Sequence, residues 1–140
     1  MVSAAVKSTE PRQDTLLSLS VETISWSGPD GFEQNGVIVY PPGHTAGRKY
    51  PLVLYIHGGP MGTSIEGWSI VPQLLAAQGW IVFQPNYRGS DNMGDRFQSA
   101  VVNDAGEGPG RDVMSGVDAL KKRGLIDESR MAVSGWSYGG

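Results

Sequence analysis

The stretch that most constrains this chain is Met131-Ala132-Val133-Ser134-Gly135-Trp136-Ser137-Tyr138-Gly139-Gly140, where a short apolar run leads directly into Gly-x-Ser-x-Gly. Where a strand ends in a sharp turn with a serine at its apex, the serine backbone is strained and the residues two positions away must be small. Gly135 and Gly139 meet that need, having no Cβ to collide with the turn. Such a nucleophile elbow lifts the Ser137 hydroxyl clear of the sheet and aims the Tyr138 N–H at the place where an oxyanion forms. Taken alone, the pattern also fits an ordinary turn with a solvated serine, because glycine is abundant at 20 of 140 residues. The rest of the chain decides between the two.

Upstream, Val21 to Trp26 alternates apolar with polar, Gly28-Pro29-Asp30-Gly31 is a turn cluster, and Phe32 to Tyr40 resumes strand character. Together they predict a β-hairpin at a sheet edge. Pro51-Leu52-Val53-Leu54-Tyr55-Ile56-His57 and Trp80-Ile81-Val82-Phe83-Gln84-Pro85 are continuous apolar runs, the pattern of strands buried on both faces, and Arg130 to Val133 reads as a third. Helical spacing appears over Ile65 to Gln78, with Trp68, Val71, Leu74 and Leu75 on one face and Gly79 as the stop. Pro72 conflicts with that span, so the helix is either kinked or starts later with Pro72 in its first turn. A polar, glycine-rich loop runs to about Gly110. A second helix is predicted over Arg111 to Arg123, with Val113, Val117 and Leu120 facing inward, Asp112 in its first turn, and Lys121 and Lys122 in its last. Strands alternating with helices call for an α/β fold with a mostly parallel sheet.

Composition narrows the chemistry. With no cysteine, disulfides, thiolate metal sites and cysteine nucleophiles are excluded. A net charge of −3 gives no reason to expect nucleic acid or an anionic membrane surface as a partner. No apolar run is long enough to span a membrane, and the start does not read as a signal peptide, which leaves a cytoplasmic location as the default. The acidic residues show no metal-ligand spacing, so no metal is expected.

In open α/β sheets ligands bind beyond the carboxyl ends of the strands. Three such ends carry unusual residues here: His57-Gly58-Gly59-Pro60, Asn86-Tyr87-Arg88-Gly89-Ser90, and the elbow. An oxyanion hole needs two N–H donors. Tyr138 supplies one, and Gly58 or Gly59 the other, with Gly59 preferred. His57 either shapes this loop or donates a side-chain hydrogen bond to the oxyanion. Arg88 either forms a structural salt bridge or orients a carboxyl or carbonyl group of the substrate. Trp136 and Tyr138 flank the nucleophile, where they line a pocket or simply pack. His44 sits in a Pro/Gly loop and reads as a solvated surface residue. Gly106-Glu107-Gly108-Pro109-Gly110 reads as a loop and not as a phosphate cradle.

Three segments in combination carry a family resemblance: Tyr50-Pro51-Leu52 through His57-Gly58-Gly59-Pro60, Asn86-Tyr87-Arg88-Gly89-Ser90, and Gly135-Trp136-Ser137-Tyr138-Gly139-Gly140. Over roughly Val21 to Gly140 the chain resembles the prolyl oligopeptidase family of serine peptidases, and most of all its acylaminoacyl-peptidase and dipeptidyl-aminopeptidase branch. The resemblance implies an α/β-hydrolase fold, incomplete here, with an N-terminal hairpin, parallel strands and crossover helices ending at the elbow. It implies a peptide substrate attacked by Ser137, with no cofactor. Residues 1–20 are then an N-terminal tail or linker, and 21–140 a partial peptidase domain that stops after the elbow. In this fold the triad runs serine, then aspartate or glutamate, then histidine. No residue follows Gly140 in this sequence, so the 140-residue chain alone is expected to be inactive. The rival readings are an esterase or lipase of the same fold, and a non-catalytic remnant or interaction module.

The strand leading into the elbow belongs inside a complete sheet of this fold. Its outer edge is therefore expected to be open in the 140-residue polypeptide, which should self-associate or pair with a C-terminal half. Sedimentation checks this: association or aggregation is expected. A monodisperse monomer melting cooperatively above about 60 °C would count against it.

Overall fold

The computed structural model describes residues 19–140. Its strands are β1 (Val21–Ser27), β2 (Glu33–Val39), β3 (Tyr50–Ile56), β4 (Ile81–Pro85) and β5 (Ile126–Gly135), and its helices are α1 (Ile70–Ala77), α2 (Asp95–Ser99) and α3 (Glu107–Lys122). The five strands form one sheet in the order β1-β2-β4-β3-β5. β1 and β2 make the expected edge hairpin. The sheet is mixed and not mostly parallel. β2 pairs antiparallel with β4, and β3 pairs parallel with both β4 and β5. α1 connects β3 to its parallel neighbour β4, and α2 and α3 carry the chain from β4 past β3 to β5.

The main core lies between the sheet and α3. Val113, Val117 and Leu120 of α3 are buried as their spacing requires, against Leu52, Leu54, Ile81 and Phe83. Gly116 sits on the same face, where an added Cβ would fall 2.8 Å from the Trp26 ring and 2.9 Å from the Phe83 ring. Trp26 and Phe83 meet edge to face with centroids 5.7 Å apart, and the Trp26 indole N–H donates to Gln34 Oε1 and Ser115 Oγ, both at 2.8 Å. The missing side chain at position 116 is what lets the helix descend onto these rings.

Several boundaries and faces differ from expectation. α3 starts at Glu107, so Gly108, Pro109 and Gly110 are its first turn and not a loop. Pro109 is tolerated because the first-turn N–H groups have no intrahelical partner anyway. Asp112 is thus well inside the helix and fully buried, not a first-turn charge. α1 starts at Ile70 with Pro72 in its first turn, the later of the two starts considered. Its buried residues are Pro72, Gln73 and Ala76, while Trp68, Val71 and Leu74 are exposed. Of the predicted inward face only Leu75 packs against the core, half-buried, while Val71 and Leu74 turn outward and Trp68 precedes the helix. The smaller side carries Ala76 against Val39, Val53 and Val82. α2 was not anticipated. It brings Phe97 into the interior, edge to face with Phe32 at 5.3 Å.

β5 was expected to be buried on both faces. It is an end strand of the sheet, with Met131 and Val133 exposed. Among the described residues nothing pairs with its outer edge.

The close approach at Gly116 yields a test. Alanine improves helix propensity by about 1 kcal/mol. Its methyl would lie inside contact distance of two buried rings, and overpacking of this kind costs about 1–3 kcal/mol. Gly116→Ala is expected to destabilise, read as a lower urea midpoint with an unchanged m-value. A raised midpoint would show that the rings give way.

Candidate active site

The parallel register of β3 and β5 places two loops side by side. Ile56 pairs with Gly135, so His57-Gly58-Gly59 and Trp136-Ser137 leave the sheet as neighbours at the carboxyl ends of their strands. A Cβ on Gly58 would lie 3.2 Å from Ser137 Cβ and 2.9 Å from the Trp136 carbonyl oxygen. Contact this close requires glycine at position 58.

Ser137 has φ +56°, in the left-handed region, and opens a short 3-10 turn through Gly139. A non-glycine residue there costs on the order of 1–3 kcal/mol, which the surrounding structure must hold in place. The flanking glycines follow from contact distances. A Cβ on Gly135 would fall 1.8 Å from the Gly139 oxygen, and one on Gly139 would fall 2.4 Å from the Ile56 oxygen. Ser137 is exposed, and its hydroxyl has no hydrogen-bond partner among the described residues. The Tyr138 N–H and the Gly59 N–H are likewise unpartnered among the described residues. Gly59 has φ +135°, a conformation that favours glycine, and it is exposed.

The loop after β4 was named by the sequence as a unit, but only Arg88 was given a job. Each of its residues has one. Asn86, buried, takes the Ser64 N–H on Oδ1 at 2.7 Å and donates to the Ser64 carbonyl at 2.9 Å and to Asn35 Oδ1 at 2.7 Å. Tyr87 donates its hydroxyl to the His57 carbonyl at 2.6 Å, and its ring stacks on the His57 ring at 4.4 Å. Burial pushes the Tyr87 hydroxyl up to about 12, so it remains a proton donor at neutral pH. Gly89, at φ +104°, lets the backbone pass beneath Pro60, where a Cβ would fall 2.7 Å from the proline ring. Ser90, fully buried, sits 3.0 Å from His57 Nε2.

Arg88 is the anchor, and the substrate-orienting option for it falls. Its backbone N–H and Nε both donate to Asp112 Oδ2 at 2.8 Å, and Nη2 donates to Asp112 Oδ1 at 2.9 Å. Nη2 also reaches Asp30 Oδ2 at 2.8 Å, and Nη1 lies 3.6 Å from Asp104 Oδ2. Asp112 first and then Asp30 raise the guanidinium pKa above its already high value, and these contacts hold the side chain facing into the protein.

Both ring nitrogens of His57 are occupied. Nδ1 lies 2.8 Å from the Gly58 carbonyl oxygen, which can only accept, so Nδ1 carries the proton and Nε2 accepts from the Ser90 hydroxyl. Burial lowers the His57 pKa, outweighing the upward pull of the Gly58 carbonyl, Asp91 and Asn86. His57 therefore shapes the loop and has no free nitrogen to take a proton from Ser137. His44 is not a solvated residue. It is half-buried, its ring tilted against those of Tyr40 at 4.2 Å and Tyr50 at 5.2 Å. Tyr50 opens β3 while the elbow lies at the far end of that 7-residue strand, about 20 Å away at 3.3 Å per residue. No general base for Ser137 is present among the described residues.

Trp136 is 76% exposed, and its ring carbon Cδ1 would be 3.5 Å from a Cβ on Gly58. Tyr138 stacks 5.9 Å from Tyr87, and its hydroxyl donates to the Ala105 carbonyl. An apolar depression of about 530 Å³ runs beside Tyr138 and is lined by Pro109, Val113, Met114 and Val133, but Ser137 does not line it. Among the described residues no cluster of three or more His, Cys, Asp or Glu is placed to hold a metal ion, and no helix is long and apolar enough to cross a membrane.

The depressed His57 pKa has a measurable consequence. In the unfolded chain the imidazole titrates near its ordinary value of 6.5, while the folded one titrates lower. Below pH 6.5 the unfolded state binds more protons, so stability is fully present above that value and falls as pH drops toward the folded pKa. The slope contributed is at most about 1.4 kcal/mol per pH unit. Urea unfolding between pH 7 and 5.5 should show this loss, and His57→Gln should flatten it. Equal slopes in both proteins would remove His57 as the cause.

The chain is similar to known proteins in sequence and in fold. Over 129 residues the chain is 34% identical to dipeptidyl-peptidase 5 of Porphyromonas gingivalis, covering 91% of this chain and 19% of the relative. It is 40% identical over 120 residues to the uncharacterized peptidase YuxL of Bacillus subtilis, covering 85% and 18%. Acylaminoacyl peptidase of Pyrococcus horikoshii superposes with a TM-score of 0.80 at 25% identity, over 90% of this chain and 20% of that one. The chain thus spans about a fifth of the length of the relatives it matches. The fold is that of the α/β-hydrolases, from the N-terminal hairpin to the elbow. Residues 67–140 match the prolyl oligopeptidase family (Peptidase S9), and the chain belongs to that family.

Proposed function

We propose that these residues carry the nucleophile and oxyanion hole of a serine peptidase that hydrolyses peptide or acylaminoacyl bonds. The observation that carries the reading is Ser137 itself: a non-glycine residue at φ +56°, exposed, flanked by glycines that admit no Cβ. In this reading Ser137 Oγ attacks the scissile carbonyl carbon, and the Tyr138 and Gly59 N–H groups stabilise the resulting oxyanion. Donors of this kind are preorganised, so no reorganisation is needed as charge develops. The proton of Ser137 goes to a histidine outside the described residues, oriented by a carboxylate also outside them. In the same reading exposed Trp136 flanks the substrate. Support for a peptide substrate comes from the relatives' names and from a neighbouring acylaminoacyl peptidase solved in complex with Z-Gly-Gly-Phe-chloromethyl ketone, with a TM-score of 0.78.

In the full-length polypeptide that contains these residues, a fluorophosphonate probe should label the wild type and not Ser137→Ala. Undiminished labelling of that variant would reject Ser137 as the nucleophile. The 140-residue polypeptide made by itself, with no base beside Ser137, should turn over an aminoacyl-naphthylamide about 10⁴–10⁶-fold more slowly than an enzyme with an intact triad. Robust hydrolysis by that polypeptide, abolished in Ser137→Ala, would overturn the assignment of the base to another part of the protein.

A further inference from the structure

We infer that Ser90 is a positioning residue for the oxyanion hole, acting through the tautomer of His57 on the Gly58–Gly59 peptide. The inference rests on the reading of Gly59 as an oxyanion donor and adds to it the device that aims the donor.

The chain of contacts is short and directional. The Ser90 hydroxyl is 3.0 Å from His57 Nε2, and His57 Nδ1 is 2.8 Å from the Gly58 carbonyl oxygen. A neutral imidazole has one donor and one acceptor nitrogen. A hydroxyl can serve either nitrogen, but a carbonyl accepts only. Donation from Ser90 to Nε2 leaves the ring proton on Nδ1, the one place from which it can hold the Gly58 oxygen. The Gly58–Gly59 peptide is trans, since the only cis bond among the described residues is Gly59–Pro60. In a trans peptide the C=O and N–H point opposite ways. Holding the Gly58 oxygen against the His57 ring therefore turns the Gly59 N–H away from it. The Gly58 backbone already abuts Ser137 on one side, and a Cβ at Gly62 would press on the Gly58 oxygen at 2.6 Å on the other.

Two features fit this role better than general packing. Ser90 is fully buried, yet His57 Nε2 is the only side-chain partner its hydroxyl has among the described residues. The ring's position is already fixed without Ser90, by stacking on Tyr87 at 4.4 Å and by the Tyr87 hydroxyl on the His57 carbonyl. What Ser90 adds is the placement of the proton. Without it, Nε2–H becomes an accessible tautomer, Nδ1 then repels the Gly58 oxygen, and the peptide loses its tether.

The test uses Ser90→Ala in the full-length polypeptide containing these residues, with Ser90→Cys as the near-isosteric variant that keeps a weak donor. Ser90→Ala should lower kcat about tenfold while KM stays within about twofold, because the donor acts on charge that develops in the transition state. Ser90→Cys should recover part of the loss. Nitrogen-15 NMR of the His57 ring should show a protonated Nδ1 and a bare Nε2 in the wild type, and a tautomer mixture in Ser90→Ala. An unchanged kcat in a folded Ser90→Ala protein, or a wild-type ring protonated at Nε2, would overturn the inference. Should Ser90→Ala fail to fold, the wild-type tautomer decides alone. Hydrolysis persisting in Ser137→Ala would instead reject the proposed function, while the His57 spectrum would still test the tether.

Discussion

Much of the site hangs on one buried ion pair, Arg88 with Asp112. Taking two charges out of water costs several kcal/mol each, and their attraction repays this only when the geometry is good and the remaining polar atoms are satisfied. Here both conditions hold. Asp112 Oδ2 takes two N–H groups of Arg88 and Oδ1 takes a third, while Asp30 and Asp104 engage the rest of the guanidinium. One of those donors is the backbone N–H of Arg88, so the pair fixes main chain as well as side chain. It joins the loop after β4 to the middle of α3, and through Asp30 to the turn of the β1–β2 hairpin. Removing one partner would strand the other, at a cost of about 3–5 kcal/mol. A loop so anchored can present Asn86, Tyr87 and Ser90 as fixed props against residues 57–64.

Sterics then complete what the ion pair begins. The elbow is a point where the backbone of residues 56–58 and that of 135–139 crowd together, and glycine is required at positions 58, 135 and 139 because any Cβ there would meet backbone oxygen at 2.9 Å or less. These contacts offer no attraction. They define a space that only this backbone path fills, and they keep Ser137 in its left-handed conformation. The sheet supplies the rest, since β3 and β5 are adjacent and parallel with Ile56 opposite Gly135.

The parts legible in the sequence were those with a local signature. The β3 and β4 runs, the α3 stripe of Val113, Val117 and Leu120, and the elbow glycines each declare themselves within a few residues. The misread parts depend on what lies across a gap in the sequence. The stripe on α1 is apolar, but periodicity does not say which side meets the sheet, and Ala76 meets it while Leu74 and Trp68 do not. Gly108-Pro109-Gly110 looks like a loop until a first-turn helix position excuses the proline. Asp112 looks like a dipole partner until Arg88, 24 residues away in sequence, claims it. His44 looks solvated until Tyr40 and Tyr50 close on its ring. The motif Asn86-Tyr87-Arg88-Gly89-Ser90 was visible as an oddity at a strand end, but its separate duties are long-range hydrogen bonds, which no local pattern encodes.

The two proposed oxyanion donors, the Gly59 and Tyr138 N–H groups, lie in loops after different strands, and Tyr87 links those loops. Its hydroxyl holds the His57 carbonyl, one residue before the Gly58–Gly59 peptide, and its ring lies between His57 and Tyr138. Tyr138 is itself tied by its hydroxyl to the Ala105 carbonyl just ahead of α3. The positions of both N–H groups are thus referred to a single side chain on a third strand end, which Arg88 locks to α3. Both loops are thereby packed against one fixed side chain. That shared reference suits chemistry in which charge appears on one oxygen between two donors, since an error in their separation weakens both bonds at once.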